Sequence, residues 1–332
     1  MRLFGCAYDE CPYGFARLNI SAKIIRATRL FDILNGTWTK KYRLLSERQY
    51  KHTMNQANTF YSRPVIALMT DFGIGDGDVG VMKGVIASIT PDAHIIDITH
   101  NVAPQNVSSG AWILAAGYSY FPKNTVFVCV VDPGVGSTRG AIAMHAGDWY
   151  FVGPDNGLFS YVMAERSIHA AIHLANSTYH LPTVSPTFHG RDIFAPVGAY
   201  LARGLNDIFS ELGPLIDPAT LRRLEVGGAI RHGTTIDARI VHVDNFGNLI
   251  TGIPLTMVPE LYTASQVQII FPNVGVTVEK RRQFFAEGPD DGQAFIFGDS
   301  SGYVGIAVRN GNAAKSLGVG FGMPIAFITS ID

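Results

Sequence analysis

From Val65 onward, apolar runs of strand length alternate with stretches of helical spacing. Val65–Thr70 (VIALMT) is continuously apolar and gives way to Asp71-Phe72-Gly73, the pattern of a parallel strand buried on both faces that ends in a loop. Residues 79–90 carry apolar positions at helical intervals up to Pro91, and 107–121 predict a second helix. His94–Thr99 (HIIDIT) and 125–131 (TVFVCVV) predict the next strands. Residues 141–145 and 149–152 predict a strand pair about Ala146-Gly147-Asp148, and 191–203 a helix ended by Gly204. After Val226-Gly227-Gly228, a linker by composition, only short β-rich runs follow, at 236–243, 248–252, 267–271, 294–297, 304–308 and 324–328. Glycine-rich turns separate them, which predicts a small barrel or sandwich. The fold class is therefore α/β. An N-terminal α/β domain with a mostly parallel central sheet spans 64–227, and a smaller all-β domain spans 228–332.

Composition changes this picture at one end. The chain has 332 residues, 47% of them hydrophobic, with a formal net charge of −1, enough apolar material for packed cores and no excess of cations for nucleic acid. The neutrality is uneven: residues 1–63 hold 11 Lys/Arg against 4 Asp/Glu, and the remainder 15 against 23, so +7 precedes −8. The basic segment is expected to be a poorly ordered extension, with Met54, shortly before the first strand, as the expected start. No apolar run reaches the roughly 18 residues of a membrane span, and no signal-peptide layout opens the chain. Three cysteines, Cys6, Cys11 and Cys129, give no disulfide framework and suit a reducing cytoplasm. Cys6 and Cys11 lack the second ligand pair of a zinc site, so no metal is expected there, and Cys129 lies in an apolar run as a buried thiol.

Three polar clusters follow strand ends. Asp71 opens TDFGIGDGD, which also supplies Asp76 and Asp78; Asp132 opens DPGVGSTRG, which includes Arg139; and Thr187-Phe188-His189-Gly190-Arg191-Asp192 forms the third. Open α/β sheets bind ligands outside the carboxyl ends of their strands, so Asp71 and Asp132 are expected to point into one crevice. The plainer alternatives are a helix N-cap or turn for each Asp, a structural His189, and a local ion pair between Arg191 and Asp192. His189, in a dense polar group, is the natural proton-handling side chain. Neither GxxxxGK[ST] nor the dinucleotide glycine spacing is present. Carboxylates make a poor phosphate cradle and suit hydroxyl groups, ammonium groups or a cationic substrate.

Five motifs occur in a fixed order: TDFG at 70–73, DPGVG…R at 132–139, PDNGL at 154–158, TFHGRDIFAP at 187–196 and DNFGN at 244–248. In this the chain resembles the S-adenosyl-L-methionine hydrolases, or S-adenosyl-L-methionine hydroxide adenosyltransferases, homologues of fluorinating and chlorinating enzymes that attack the same substrate. The resemblance covers residues 64–330. It implies an α/β domain, a C-terminal β-barrel, and a homotrimer whose active sites lie between one subunit's N-terminal domain and a neighbour's C-terminal domain. It also implies substitution at the ribose C5′ to give adenosine and L-methionine, with no cofactor and no metal. A sulfonium leaving group needs only a positioned water in a desolvated pocket.

The resemblance places Asp132, Arg139 and His189 in a water-activating triad. Arg139 can hold Asp132 bidentately and so makes it a weaker base, which leaves His189 as a candidate proton acceptor. Asp71 matches the residue that holds both ribose hydroxyls. Asp76 and Asp244 match carboxylates around the methionine ammonium, and Ser300 a contact to the methionine carboxylate. Asn248 matches an adenine contact, and Phe246 and Phe188 ring packing. Halogenating relatives lack the Asp at position 132, and the fluorinating ones also carry a serine at Gly190 and an insertion near Ala146-Gly147-Asp148. In this chain Gln105 stands where the fluorinating enzymes have an aromatic over the ribose, Ser301 replaces one of their arginines, and Arg309-Asn310 matches only loosely. The alternatives to a hydrolase are a halide-using enzyme of the same family, a non-catalytic sensor of S-adenosylmethionine or adenosine, and a metal-dependent hydrolase using Asp71, Asp132 and His189.

Overall fold

Val65–Thr70 forms strand β1, and its continuous apolar run reflects cover on both faces. Ile66 and Leu68 pack on one side with Met82 and Ile86, whereas Ala67 and Met69 pack on the other with Leu114 and Tyr118. The first pair belongs to helix α1 (Asp78–Ile89). Leu114 belongs to α2 (Val107–Gly117), and Tyr118 to the 3₁₀ turn Tyr118–Tyr120 that completes the helical run expected to residue 121. The computed structural model describes residues 63–225 and 228–330. The expectations for residues 1–62 (a basic extension, a start at Met54, and Cys6 and Cys11) lie outside the described residues, as do Val226 and Gly227 of the linker.

Strands β2 (His94–Thr99), β3 (Val126–Val130) and β5 (Trp149–Pro154) run parallel with β1, in the order β2-β1-β3-β5. Beyond them β4 (Ala141–Ala146), β6 (Ile168–His173) and β7 (Leu215–Ile216) extend the sheet with antiparallel pairings. The chain leaves β1 for β2 on one side and returns to β3 on the other, so the carboxyl edge between β1 and β3 is a topological switch point. A short helix, α3 (Ser160–Glu165), follows β5.

The segment predicted as a helix over 191–203 opens instead as a π-helical turn, Gly190–Phe194, that leads into α4 (Ala195–Phe209) with Pro196 in its first turn. Helix α4 also passes Gly204: Leu205 takes non-helical angles (φ 35, ψ −109), and the chain continues to Phe209. Burial of Phe209 and Leu212 in the core beneath the sheet carries it past the glycine.

The C-terminal strands are β8 (Ile230–His232), β9 (Thr235–Val243), β10 (Leu249–Pro254), β11 (Gln266–Phe271), β12 (Val276–Val278), β13 (Lys280–Arg281), β14 (Ala294–Gly298), β15 (Tyr303–Val308) and β16 (Pro324–Ser330). They form a sheet ordered β12-β11-β16-β9-β10-β15-β14-β13, with β8 on β9. Contacts of β12 with β14, and of β11 with β13, nearly close it into a barrel. Strand periodicity fills its interior, since Ile236, Ala238 and Ile240 of β9 meet Ile269, Phe271, Ile325 and Phe327. The very short β7, β8, β12 and β13 carry too few residues to show a period and escape sequence reading. A last helix, α5 (Ala313–Leu317), precedes β16. Trp112 of α2 joins the sheet to the barrel, its buried ring 4.6 Å from that of Tyr303 and 6.4 Å from that of His242.

Close approach of α4 to β3 rests on one missing side chain. A Cβ at Gly198 would lie 2.3 Å from Cγ2 of Val128. Gly198→Ala should therefore push α4 off the sheet and cost about 1–3 kcal/mol by overpacking, read as a lower urea midpoint at unchanged slope.

Candidate active site

Thr70 and Val130 are register partners at the carboxyl ends of β1 and β3. Asp71 therefore leaves the sheet beside Val131 and Asp132, as the alternation of apolar strand and acidic loop predicts. The third cluster arrives from beneath, because the π-helical turn and α4 pack under these strands.

Asp132 and Arg139 form a buried pair, their side chains 4% and 8% exposed. Arg139 Nε donates to both carboxylate oxygens, at 3.0 and 2.9 Å, and Nη2 donates to Oδ2 as well. Nη2 also lies 2.8 Å from His189 Nδ1. A guanidinium only donates, so Nδ1 must accept and the ring proton sits on Nε2. Burial, followed by the charge of Arg139, holds His189 below the ordinary histidine value. The ring is thus a neutral imidazole with a donor on its free side, and proton uptake at Nδ1 is closed while the arginine bond lasts. Arg139 also occupies the place between Asp132 and His189 that a shared metal ion would need. Phe194 covers the guanidinium, with its ring centre 5.3 Å from Cζ.

The loops that carry this unit interlock. Asn156 of PDNGL donates from Nδ2 to the Val131 carbonyl at 2.8 Å, fixing the residue before Asp132; the motif was visible in the sequence, but this role was not. Gly136 has φ 77, and a Cβ there would meet the Pro186 carbonyl oxygen at 2.3 Å, so the 132–139 loop seats directly on the segment leading to His189. Arg191 and Asp192 form the local ion pair foreseen as an alternative. Arg191 Nε and Nη2 donate to Asp192 at 2.6 and 3.0 Å, and the Ser185 amide donates to it at 2.8 Å. Burial works against ionising Asp192, but these donors outweigh it and hold the carboxyl below its ordinary value. Phe188 lies between the Arg191 guanidinium, 4.9 Å from its ring, and the Phe72 ring at 5.8 Å edge-on. Gly190 faces Phe72 directly, 3.2 Å from where a Cβ would sit.

Asp71 is half-buried, and its Oδ2 accepts the Gln105 amide at 2.7 Å. Gln105 reaches it with a positive φ of 63, a conformation uncommon for a residue with a side chain. Position 105 thus acts on Asp71 through its backbone, which its side-chain identity could not have shown. Asp76 is exposed on the loop before α1.

The remaining expected residues lie on the barrel. Asp244 Oδ1 accepts the amides of Phe246 and Asn248 at 2.9 and 2.8 Å, and its Oδ2 accepts Asn248 Nδ2 at 2.8 Å. Asn248 keeps its carbonyl oxygen and one N–H, and Phe246 projects outward, 73% exposed. Asp244 and Ser300 line a cleft of about 390 Å³ with Trp112, Tyr120, His242 and Asp299. Burial lowers the pKa of His242 against the opposing pull of Asp244 and Asp299. A larger concavity of about 690 Å³, lined by Tyr161, Glu225, Arg239 and Phe321 among others, holds none of the expected residues. Among the described residues, no hydrogen bond, ion pair or ring contact joins the Asp71, Asp132, Arg139 and His189 group to the Asp244, Asn248 and Ser300 group.

Asp192 gives this arrangement a stability test. Asp192→Ala leaves the Ser185 amide and the partly exposed Arg191 without their carboxylate and should cost about 1–2 kcal/mol in urea denaturation. Because the folded pKa is depressed, the wild type should lose this contribution as pH falls through and below 3.8, the ordinary aspartate value. The variant should lack that part of the acid dependence.

Two family models match the chain in tandem, the SAM hydroxide adenosyltransferase N-terminal domain over residues 66–212 and its C-terminal domain over 238–326. The (R)-S-adenosyl-L-methionine hydrolase of Salinispora tropica is 40% identical over 77% of this chain and 94% of its own. A fluorinase from an Actinoplanes species is more distant, at 27% identity over 74% and 90%. A crystal structure of an uncharacterized conserved protein from Thermotoga maritima superposes with a TM-score of 0.73 at 34% identity, covering 79% of this chain and 99% of that one. With both halves matched in order, the chain belongs to the SAM hydroxide adenosyltransferase family.

Proposed function

We propose that this protein hydrolyses S-adenosyl-L-methionine to adenosine and L-methionine by attack of water at the ribose C5′. The observation that carries this reading is the buried Asp132–Arg139–His189 unit at the switch-point edge of the sheet. Arg139 fixes the Asp132 carboxylate, whose oxygens keep lone pairs for a water, and His189 offers an Nε2–H on its free side. The water oxygen bonds to C5′ as the C5′–S bond breaks, the bonding pair returns to sulfur, and the water proton passes to Asp132, because His189, the acceptor expected from the sequence, has Nδ1 taken by Arg139 and a proton on Nε2. The sulfonium loses its charge in leaving as a neutral thioether, so this chemistry asks for no metal and no cofactor. Asp71, with its carboxylate oriented by Gln105, is suited to the ribose hydroxyls. A fixed carboxylate at the attacking position disfavours a halide there by like charge, which supports water as the nucleophile.

The other expected residues, Asp76 and Phe188 on the α/β domain and the rest on the barrel, complete the assignment. Asp76 and Asp244 would face the methionine ammonium, Ser300 its carboxylate, and Asn248, Phe246 and Phe188 the adenosine. Within one chain the barrel residues Asp244, Asn248 and Ser300 do not meet the Asp132 group, which favours a homotrimer that completes each site from two neighbours. The relatives' names carry the (R) configuration at sulfur, and we extend that preference to this chain. The buried thiol of Cys129 suits a reducing cytoplasm.

Incubation with the separated sulfonium epimers in ¹⁸O-water should give labelled adenosine, faster from the (R) form, and no chlorinated nucleoside in the presence of chloride. Unlabelled adenosine or a halogenated product would defeat the assignment. Asp132→Ala should lower kcat by at least about 100-fold while leaving the dissociation constant for substrate within a few-fold, as measured by calorimetry. The pH profile follows from His189. Its pKa lies below the ordinary 6.5, so kcat/KM should hold through neutrality and fall only on acidification beyond that value, when protonation breaks the Arg139 bond. His189→Asn, which keeps an oxygen acceptor for Arg139, should remove that limb.

A further inference from the structure

Behind Asp71 lies a second constellation of titratable and hydroxyl side chains that the proposed reaction does not use. His100 and Thr70 are 5% and 0% exposed. His100 Nδ1 is 2.9 Å from Thr70 Oγ1, and Nε2 is 3.1 Å from Asp97 Oδ1, beside its charge though not aligned as a hydrogen bond. Lys83 donates to the other oxygen of Asp97 at 2.6 Å. Burial opposes ionisation of Asp97, but Lys83 and His100 overcome it and hold its carboxyl below the ordinary value. Acid, imidazole and hydroxyl in this order resemble a nucleophilic triad. With Thr70 fully buried, however, no substrate can reach its oxygen.

The proton directions show what the set does. An anionic Asp97 beside Nε2 calls for the ring proton there, so Nδ1 accepts and Thr70 Oγ1–H donates to it. Thr70 Oγ1 is then free to accept the Phe72 amide, which lies 3.3 Å away. The Gly73 amide meanwhile donates to the His100 carbonyl at 2.8 Å. The turn that carries Asp71 thus hangs from His100 at both ends, through its ring by way of Thr70 and through its backbone by way of Gly73.

A register shift makes this possible. Leu68 pairs with Asp97 and Met69 with Thr99, so β2 carries one extra residue at Ile98. In a regular strand, positions 97 and 100 would point to opposite faces. The bulge restores their parity and brings both side chains to one side, a re-aiming for which bulges near active sites are known.

We propose that Asp97, His100 and Thr70 are positioning residues that set the orientation of Asp71 and thereby select for an intact ribose. The inference rests on the reading of Asp71 as the ribose-hydroxyl contact. The experiment measures kcat/KM for S-adenosyl-L-methionine and for its 2′-deoxyribose analogue, alongside amide exchange at Phe72. Thr70→Val removes only the hydroxyl and Thr70→Ser keeps it. His100→Asn retains an acceptor near the Nδ1 position, whereas His100→Gln reaches only toward Asp97. Thr70→Val and His100→Gln should lower the preference for the intact ribose by about tenfold and speed exchange at Phe72, whereas Thr70→Ser and His100→Asn should stay near wild type. Loss of thermal stability without loss of that preference would reduce the set to packing and overturn the proposal. A wild type that does not prefer the intact ribose would instead defeat the role of Asp71. The relay would then stand or fall on Phe72 exchange, with equal rates in all four variants overturning it.

Discussion

Two opposite charges almost removed from water, Asp132 and Arg139, hold the carboxyl edge of the sheet together. Such a pair is a poor source of net stability, because dehydrating both ions costs nearly as much as their attraction returns. Its value here lies in geometry. The guanidinium fork fixes both carboxylate oxygens and spends a further N–H on His189, so one side chain ties the end of β3, its own loop and the segment before α4. The seat of Gly136 on Pro186 and the bond from Asn156 to Val131 keep those segments in reach. The Arg191–Asp192 pair does the same for the far side of the His189 segment. In the proposed reaction, loosening any of these would shift the place where the water is held.

The sheet explains why this edge collects carboxylates without collapsing. Asp71 and Asp132 emerge from adjacent parallel strands, yet each is held separately, the first by a backbone amide and the second by a guanidinium. With Asp132 paired to Arg139, Asp71 is the carboxylate at this edge with no ion-pair partner among the described residues, and its charge favours a cation such as a sulfonium. When the C–S bond breaks, the organic product loses its charge, and with it the attraction that held it. One field therefore favours binding of the reactant over retention of the product.

Asp71, Asp132 and His189 were legible in the sequence because each directly follows or interrupts a strong apolar pattern, and five ordered motifs placed them in a family. Other features depend on backbone conformation that residue identity does not encode. Gln105 holds Asp71 through an amide turned by a positive φ, and the extra residue at Ile98 leaves HIIDIT looking like an ordinary strand. The protonation of His189 was hidden for a related reason: its tautomer is set by a donor fifty positions away in the chain. Helix α4 outlasted Gly204 because tertiary burial of Phe209 outweighs a local breaker.

In the homotrimer proposed above, the barrel loop at Asp244 would enter assembly already shaped. Its carboxylate already accepts three donors from residues 246 and 248, so the loop needs no partner to take its shape. Phe246 is left projecting into solvent with its backbone fixed. Ordering such a loop only on contact with a neighbour would subtract from the binding free energy of both neighbour and substrate. With the loop already shaped, the proposed association would have only to bring two finished surfaces together. The precision that the proposed attack at C5′ needs would then depend on the packing within each chain, where the Asp132–Arg139 pair and its supports lie.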